Sequence, residues 1–177
     1  MQVANMMDQE ELKLFHQGSS FKAYEYMGSH HMTADGKEGV VFRVWAPNAL
    51  SVSVVGDFNQ WDRTAHPMTK ISGGGVWECF IPDLIKEYDV YKYSIESPTK
   101  EVLLKTDPYG YHCETRPANG TKFYDIEGYE WHDEDWYKFK AKNSHYTAPV
   151  NIYEVHAGSW RKFSDGNSFS YEKFADE

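Results

Sequence analysis

Between residues 40 and 105 the chain repeats one pattern. Short runs carry an apolar side chain at every second position, and turn-forming residues cut each run off. In VVFRVWAP (40–47), Phe42, Val44 and Ala46 alternate with Val41, Arg43 and Trp45 until Pro47 stops the run. SVSVV (51–55), VWECFI (76–81), VYKYSIE (90–96) and EVLLK (101–105) follow, with SGGG and SPTK among the breaks. VYKYSIE puts Tyr91, Tyr93 and Ile95 on one face and Val90, Lys92 and Ser94 on the other. A period of two marks a strand with one buried face. Several such strands at close spacing imply an antiparallel β-sandwich. No helical pattern alternates with these runs, which argues against a parallel α/β domain. The expected fold is mainly β, an immunoglobulin-like antiparallel β-sandwich with a short N-terminal helix.

The flanks read differently. DQEELKLFHQ (8–17) predicts a helix with Asp8 as its cap, Glu11 completing a capping box and Gly18 ending it. Leu12 and Phe15 give it a small apolar face, and so short a helix is stable only if docked. After residue 105, prolines and glycines in TDPYGYHCETRPANGT break regular structure. GYEWHDEDWYKFKAKN follows; its run His132–Asp135 reads as a solvated charge cluster, and Trp131 and Trp136 as cover for the sandwich or for a neighbouring domain. In TAPVNIYEVHAGSW, Val150, Ile152, Tyr153 and Val155 suggest a strand buried on both faces, as in a parallel sheet. SFSYEKFADE suggests a helix beginning near Ser168 or Ser170. The expected organisation is a helical and linker segment over 1–35, the sandwich over 36–112, a linker over 113–149, and an incomplete further domain over 150–177.

Composition narrows the partners. The formal net charge is −9, which disfavours a phosphate backbone or an anionic membrane surface as ligand. Nucleic acid and membrane are therefore not expected partners, and a neutral sugar is compatible. Aromatic residues reach 16%, with 13 Tyr and 6 Trp, which fits a recognising surface as well as an aromatic β core. The N-terminus has no basic start followed by an apolar run, and no stretch is long and apolar enough for a membrane span, so a soluble cytoplasmic protein is expected. Cys79 and Cys113 stand apart without a CxxC spacing and read as reduced thiols. His16, His30, His31, His66, His112, His132, His145 and His156 form no HExxH or other metal-ligand spacing. No metal and no cofactor is expected.

One stretch calls for a partner. APNALSVSVVGDFNQWDRTAHPM places Trp61 among Asp57, Asn59, Gln60 and Asp62. This stretch resembles the carbohydrate-binding module that precedes the catalytic barrel in glycogen branching enzymes. A related module serves as a glycogen sensor in AMP-activated protein kinase. VVFRVWAPNA, GDFNQWD, VWECFIP, VYKYSI, KTDPYG, RPANGTKFYD and YEWHDEDW are similar to family motifs and occur in the same order. AYEYMGSH looks like the segment before the module, and APVNIYEVHAGSW like the first barrel strand of branching enzymes; debranching enzymes share its start and usually continue differently. The resemblance implies that 150–177 is the truncated start of a (β/α)8 barrel. It implies a parent enzyme, a glycosyltransferase of the α-amylase superfamily, that moves α-1,4-glucan segments onto α-1,6 branches in glycogen biosynthesis. Its partners would be α-1,4-glucan (glycogen, maltooligosaccharides) and the missing catalytic barrel.

The resemblance makes Trp61 a platform that stacks on the C–H face of a glucose ring. Asp57 and Asn59 are then expected acceptors for the sugar hydroxyls, Lys92 an expected donor, and Trp77 a second platform. The alternatives are that Trp61 packs on its own sandwich and that Trp77 serves core or interdomain packing. One departure stands out: KEVLLKTDP has Leu103 and Leu104 where glycogen-sensing modules carry a second stacking tryptophan. Retaining barrel enzymes need an Asp nucleophile and a Glu acid/base about 5 Å apart, on later barrel strands. None of the family's catalytic motifs occurs here, so no catalytic residue is assigned. Tyr153, Glu154 and His156 read as barrel core and support. Two non-enzymatic readings stay open: a stand-alone glucan-binding or regulatory module, and a structural spacer without sugar affinity.

Overall fold

A computed structural model describes residues 9–144 and 146–177. The expected cap residue Asp8 lies outside them. The chain divides into two compact units, residues 1–128 and 129–177.

The first unit is a two-sheet sandwich. Among the described residues its strands are β1 (Gly28–Ala34), β2 (Lys37–Trp45), β3 (Ser51–Gly56), β4 (Thr69–Lys70), β5 (Val76–Pro82), β6 (Val90–Glu96), β7 (Val102–Lys105), β8 (His112–Cys113) and β9 (Thr121–Lys122). One sheet runs β1-β2-β5-β4; the other runs β3-β6-β9-β8, with β7 paired to the free side of part of β6. Every pairing is antiparallel. The alternation decides which side chains meet between the sheets. Val40, Phe42, Val44, Trp77 and Ile81 face Val52, Val54, Tyr91, Tyr93 and Phe123 in one core. Phe42 meets Tyr91 edge-on at 5.0 Å, and each fully buried aromatic side chain of this kind contributes about 1.5–3 kcal/mol.

The inward tyrosines carry hydroxyls that need partners. Asp107 supplies them: its Oδ2 accepts from Tyr91 at 2.7 Å and from Tyr93 at 3.0 Å. Its Oδ1 accepts from the Tyr109 backbone N–H at 2.8 Å, so one buried carboxyl ties the turn after β7 to the core. Burial pushes its pKa up, against the pull of these hydrogen bonds.

The sandwich is larger than the sequence boundaries 36–112. GSHHMTA, placed in the leading segment by sequence, forms β1 and pairs with β2 along its whole length. Residues 112–113 and 121–122, split across the expected boundary, form a small hairpin that joins β6. Ahead of β1, helix α1 (Gln9–His16) docks as its length demanded. Leu12 and Met27 pack with Val76 on the outer face of the first sheet, with Phe15 and Tyr26 at the margin. On that same face Arg43 Nε donates to Glu78 Oε2 at 2.6 Å, with both side chains buried. Arg43 Nη1 also donates to the Tyr26 carbonyl at 3.2 Å.

The second unit holds helices α2 (Glu134–Lys142), α3 (Ala157–Trp160) and α4 (Tyr171–Asp176). Ser170 caps α4, accepting from the Lys173 N–H at 3.2 Å, where a helix start was expected. Trp160 and Phe174 meet edge-on at 4.8 Å, and the Trp160 indole donates to the Tyr153 hydroxyl at 2.8 Å. None of this unit's described residues is buried. Residues 151–156, expected as a buried strand, pair with no strand among the described residues, and Ile152 is 90% exposed. A parallel strand gets its hydrogen bonds from neighbouring strands, and none of the described strands lies beside this segment.

Candidate functional site

The loop after β3 is built from the inside out. Gly56 ends the strand, where an added Cβ would lie 2.3 Å from the Val90 carbonyl and 2.6 Å from the Phe58 ring. Only a glycine lets the chain pass so close to β6. A single 3-10 turn follows over Asp57–Asn59, and Phe58 anchors it by packing against the core. Gln60 and Trp61 then both take left-handed backbone conformations, with φ of 55° and 62°. Two consecutive non-glycine residues in that region are strained, and such strain persists only where surrounding bonds hold it. Here the Trp61 N–H donates to the Gly56 carbonyl at 2.9 Å, and the Asp62 N–H to the Asn59 carbonyl at 3.0 Å.

The result is an aromatic ring in a fixed pose. Trp61 is 39% exposed, and its indole N–H donates to Asp57 Oδ1 at 2.9 Å. Asp57 therefore orients the ring, and its second oxygen is left for other donors. Asn59, expected to meet a sugar hydroxyl, is spent on the loop itself. Its Oδ1 accepts from the Gly56 N–H at 2.9 Å, and its Nδ2 donates to the Val54 carbonyl at 3.0 Å and to His66 Nδ1 at 2.8 Å. Both amide protons are used, so Asn59 shapes the site rather than offering a donor to a ligand.

Lys92 stands on β6 opposite Val55, beside the strand end from which the loop springs. Tyr91 and Tyr93 point to the core, so Lys92 points to the outer face of the second sheet, where its neighbours Val55 and Ser94 are buried and Lys92 is half-buried. Its ammonium donates to the side-chain oxygen of Asn119. Asn119 was not singled out by sequence reasoning. It lies 27 residues from Lys92, in the RPANGT turn, and the turn is pinned from both sides. Thr106 Oγ1 donates to the Asn119 carbonyl at 2.6 Å, and the Gly120 N–H donates to Glu114 Oε2 at 2.7 Å. The available signal was the Asn-Gly pair, which marks a tight turn but does not reveal where the turn lands.

The register also separates the two leucines of KEVLLKTDP. Leu103 is opposite Ile95, which packs on the core, while Leu104 is opposite Ser94 on the same face as Lys92. Leu104 is 53% exposed. An aliphatic residue thus stands on the outer face where the resemblance implied a second flat ring.

Trp77 does not fit the expectation of a second platform. It is 8% exposed, pairs with Val44 inside the first sheet and donates its indole N–H to the Ala46 carbonyl at 3.0 Å. Its ring is filled in by the core, which leaves no face for a sugar. Among the described residues no group of three or more His, Cys, Asp or Glu side chains is placed to hold a metal. No described helix is long and apolar enough to cross a membrane.

Comparison with known proteins agrees with this geometry. Residues 26–110 match the family described as carbohydrate-binding module 48 (isoamylase N-terminal domain). The chain is 45% identical over 169 residues to the 1,4-alpha-glucan branching enzyme GlgB of Bacillus cytotoxicus, covering 96% of this chain and 26% of that protein. It is 43% identical over 175 residues to the same enzyme from Bacillus cereus, covering 98% of this chain and 27% of that protein. The chain thus spans about a quarter of the length of the curated relatives it matches. A solved structure of PulA from Klebsiella pneumoniae aligns over 60% of this chain and 10% of its own, at 28% identity and a TM-score of 0.47. Residues 26–110, with a sandwich fold and an exposed loop tryptophan, belong to the carbohydrate-binding module 48 family, in a chain that matches GlgB-type 1,4-alpha-glucan branching enzymes almost from end to end.

Proposed function

We propose that the Trp61 loop and the adjoining outer face of the second sheet bind α-1,4-glucan on behalf of a glycogen branching enzyme. The observation that carries this reading is Trp61. A large ring is held partly exposed, in a strained backbone, by an aspartate that fixes its orientation. A pyranose offers a flat face of C–H groups and a rim of hydroxyls. The indole covers the face, Lys92 and Asn119 meet the rim as donor and acceptor, and the free oxygen of Asp57 accepts from a further hydroxyl. Such a site holds a polymer near the reaction without taking part in it.

The transfer itself, from α-1,4 to α-1,6 linkage, requires a carboxylate pair about 5 Å apart in a barrel. We assign that step to the remaining part of the enzyme, whose barrel would begin with residues 150–177. The cytoplasm, where glycogen is made, is the compartment this reading implies. Leu104 supports one competing reading. With an aliphatic residue in place of a second ring, the face serves as a spacer that holds the barrel and has no affinity of its own.

Calorimetric titration with maltoheptaose separates the two, with a β-1,4-linked oligosaccharide as control. Saturable binding of the α-linked sugar alone supports the glucan site. No heat with either sugar, at millimolar concentration, supports the spacer.

A further inference from the structure

His66 sits just beyond the loop and is not accounted for by sugar contact. Its backbone is fixed: the His66 carbonyl accepts from the Val54 N–H at 3.0 Å, and Pro67 bridges to Ser53. Its ring lies against Phe58, with centroids 5.8 Å apart. Its Nδ1 is 2.8 Å from Asn59 Nδ2.

The polarity of that contact follows from the neighbours. Asn59 must present its oxygen to the Gly56 N–H and its NH2 to the Val54 carbonyl. Turning the amide over would set donor against donor at Gly56 and acceptor against acceptor at Val54. The NH2 therefore faces His66, and Nδ1 must be an unprotonated acceptor. The ring is neutral in this arrangement, with its proton on Nε2. A second proton would place N–H against N–H and break the contact.

We infer that neutral His66 is a positioning residue for the Trp61 platform, and that protonating it releases Asn59 and loosens the loop's grip on glucan. This rests on the reading of Trp61 as a glucan contact. The chain of contacts runs from His66 to Asn59, from Asn59 to the Gly56 N–H, and from the Gly56 carbonyl to the Trp61 N–H. Asn59 closes the loop on both sides of the 3-10 turn, so its release affects the ring directly.

The surroundings favour the neutral form. Burial lowers the pKa of His66 from its ordinary value, and Asp62, on its own turn, partly opposes this. Asp62 itself is held charged by the Thr64 N–H and hydroxyl. The other charged groups nearby are engaged elsewhere. Asp57 accepts from the Trp61 indole, Arg63 pairs with Glu96 at 3.7 Å, and Lys92 donates to Asn119. β3, to which the His66 backbone is hydrogen-bonded, carries no charged residue.

Two variants divide the contributions. His66→Asn keeps an acceptor near the position of Nδ1 and cannot titrate. His66→Phe keeps a ring against Phe58 and has no acceptor. Maltoheptaose affinity and melting temperature are measured for each between about pH 7.5 and about pH 5, a span that brackets imidazole titration. For the wild type, affinity should fall about three- to tenfold on acidification, the equivalent of one neutral hydrogen bond. His66→Asn should match the wild type at the higher pH and stay flat. His66→Phe should be weak by the same factor and also flat.

A parallel titration without sugar follows the Trp61 indole N–H and the Asn59 side-chain amide by NMR in the wild type. Both resonances should move with the midpoint of the His66 ring. Resonances indifferent to that midpoint would overturn the inference, as would equal binding by the two variants. If the wild type binds no maltoheptaose at any pH, the glucan reading fails, while the indole titration still decides whether His66 positions the loop.

Discussion

Glu78→Met should be the most damaging conservative-volume change in the sandwich. Its carboxylate meets Arg43 Nε at 2.6 Å, and the two side chains are 6% and 4% exposed. Removing the acid takes the buried carboxylate partner at 2.6 Å away from the Arg43 guanidinium. The Tyr26 carbonyl, which accepts from Arg43 Nη1 at 3.2 Å, carries no net charge and does not replace that carboxylate. Breaking one side of a buried pair typically costs about 3–5 kcal/mol, whereas an exposed pair costs about 0–1. Against a total stability of about 5–15 kcal/mol, this is a large fraction. The pair Arg43→Met/Glu78→Met removes both charges and should recover most of the loss, since apolar replacements of buried ion pairs are often neutral or better. The assay is urea unfolding of the wild type, both single variants and the double variant, closed as a double-mutant cycle. A single-variant loss below about 1 kcal/mol would refute the reasoning, because the pair would then be behaving as if solvated.

Asp107 gives a pH signature. Its folded pKa is raised by burial, so its contribution is fully present below the unfolded aspartate value and is lost as pH rises through the folded value. The stability gap between wild type and Asp107→Asn should therefore be largest near pH 4 and shrink toward neutrality; a gap that widens with pH would mean the tyrosine bonds win over burial. The two thiols should separate in alkylation. Burial, with Glu78 adding to it, pushes Cys79 up to about 11, while Cys113 is exposed, so a maleimide should label Cys113 first and Cys79 only on unfolding. In hydrogen exchange, the backbone amides of 151–156 should exchange far faster than those of Tyr91 and Tyr93, which lie in paired strand; equal protection would mean that the segment has found a sheet.

The parts of this protein that sequence made legible are those governed by local periodicity. The even-numbered positions of VVFRVWAP and the odd-numbered positions of VYKYSIE face the core as the alternation requires. β1 was missed because GSHHMTA has polar residues on both faces. It is an edge strand, held by its ladder to β2 rather than by an apolar stripe. α2 was missed for a related reason. EDWYKFKAK buries none of its residues, and local contacts such as Trp136 on Phe139 and Lys138 on Asp135 accompany it. At the proposed site, the positions of Trp61 and Lys92 could be read from the chain, because each is fixed by its own strand or loop. The roles of Asn59, Asn119 and His66 could not. They depend on which distant backbone groups fall within hydrogen-bonding reach, and no pattern along the chain encodes that. Trp77 shows the same limit: alternation permitted either face, and only the register with Val44 placed it inside.

The central claim is that Trp61 is exposed for a glucan and not for the fold. Trp61→Ala tests it, with maltoheptaose affinity and thermal melting measured on the same sample. Stacking aromatics contribute about 0.5–1.5 kcal/mol beyond burial, so affinity should fall by about three- to tenfold. The melting temperature should move little, because at 39% exposure the ring fills no closed cavity. A collapse of melting, of the size expected for a core aromatic at about 3–5 kcal/mol, would contradict the account. So would an affinity left unchanged in a variant that melts like the wild type.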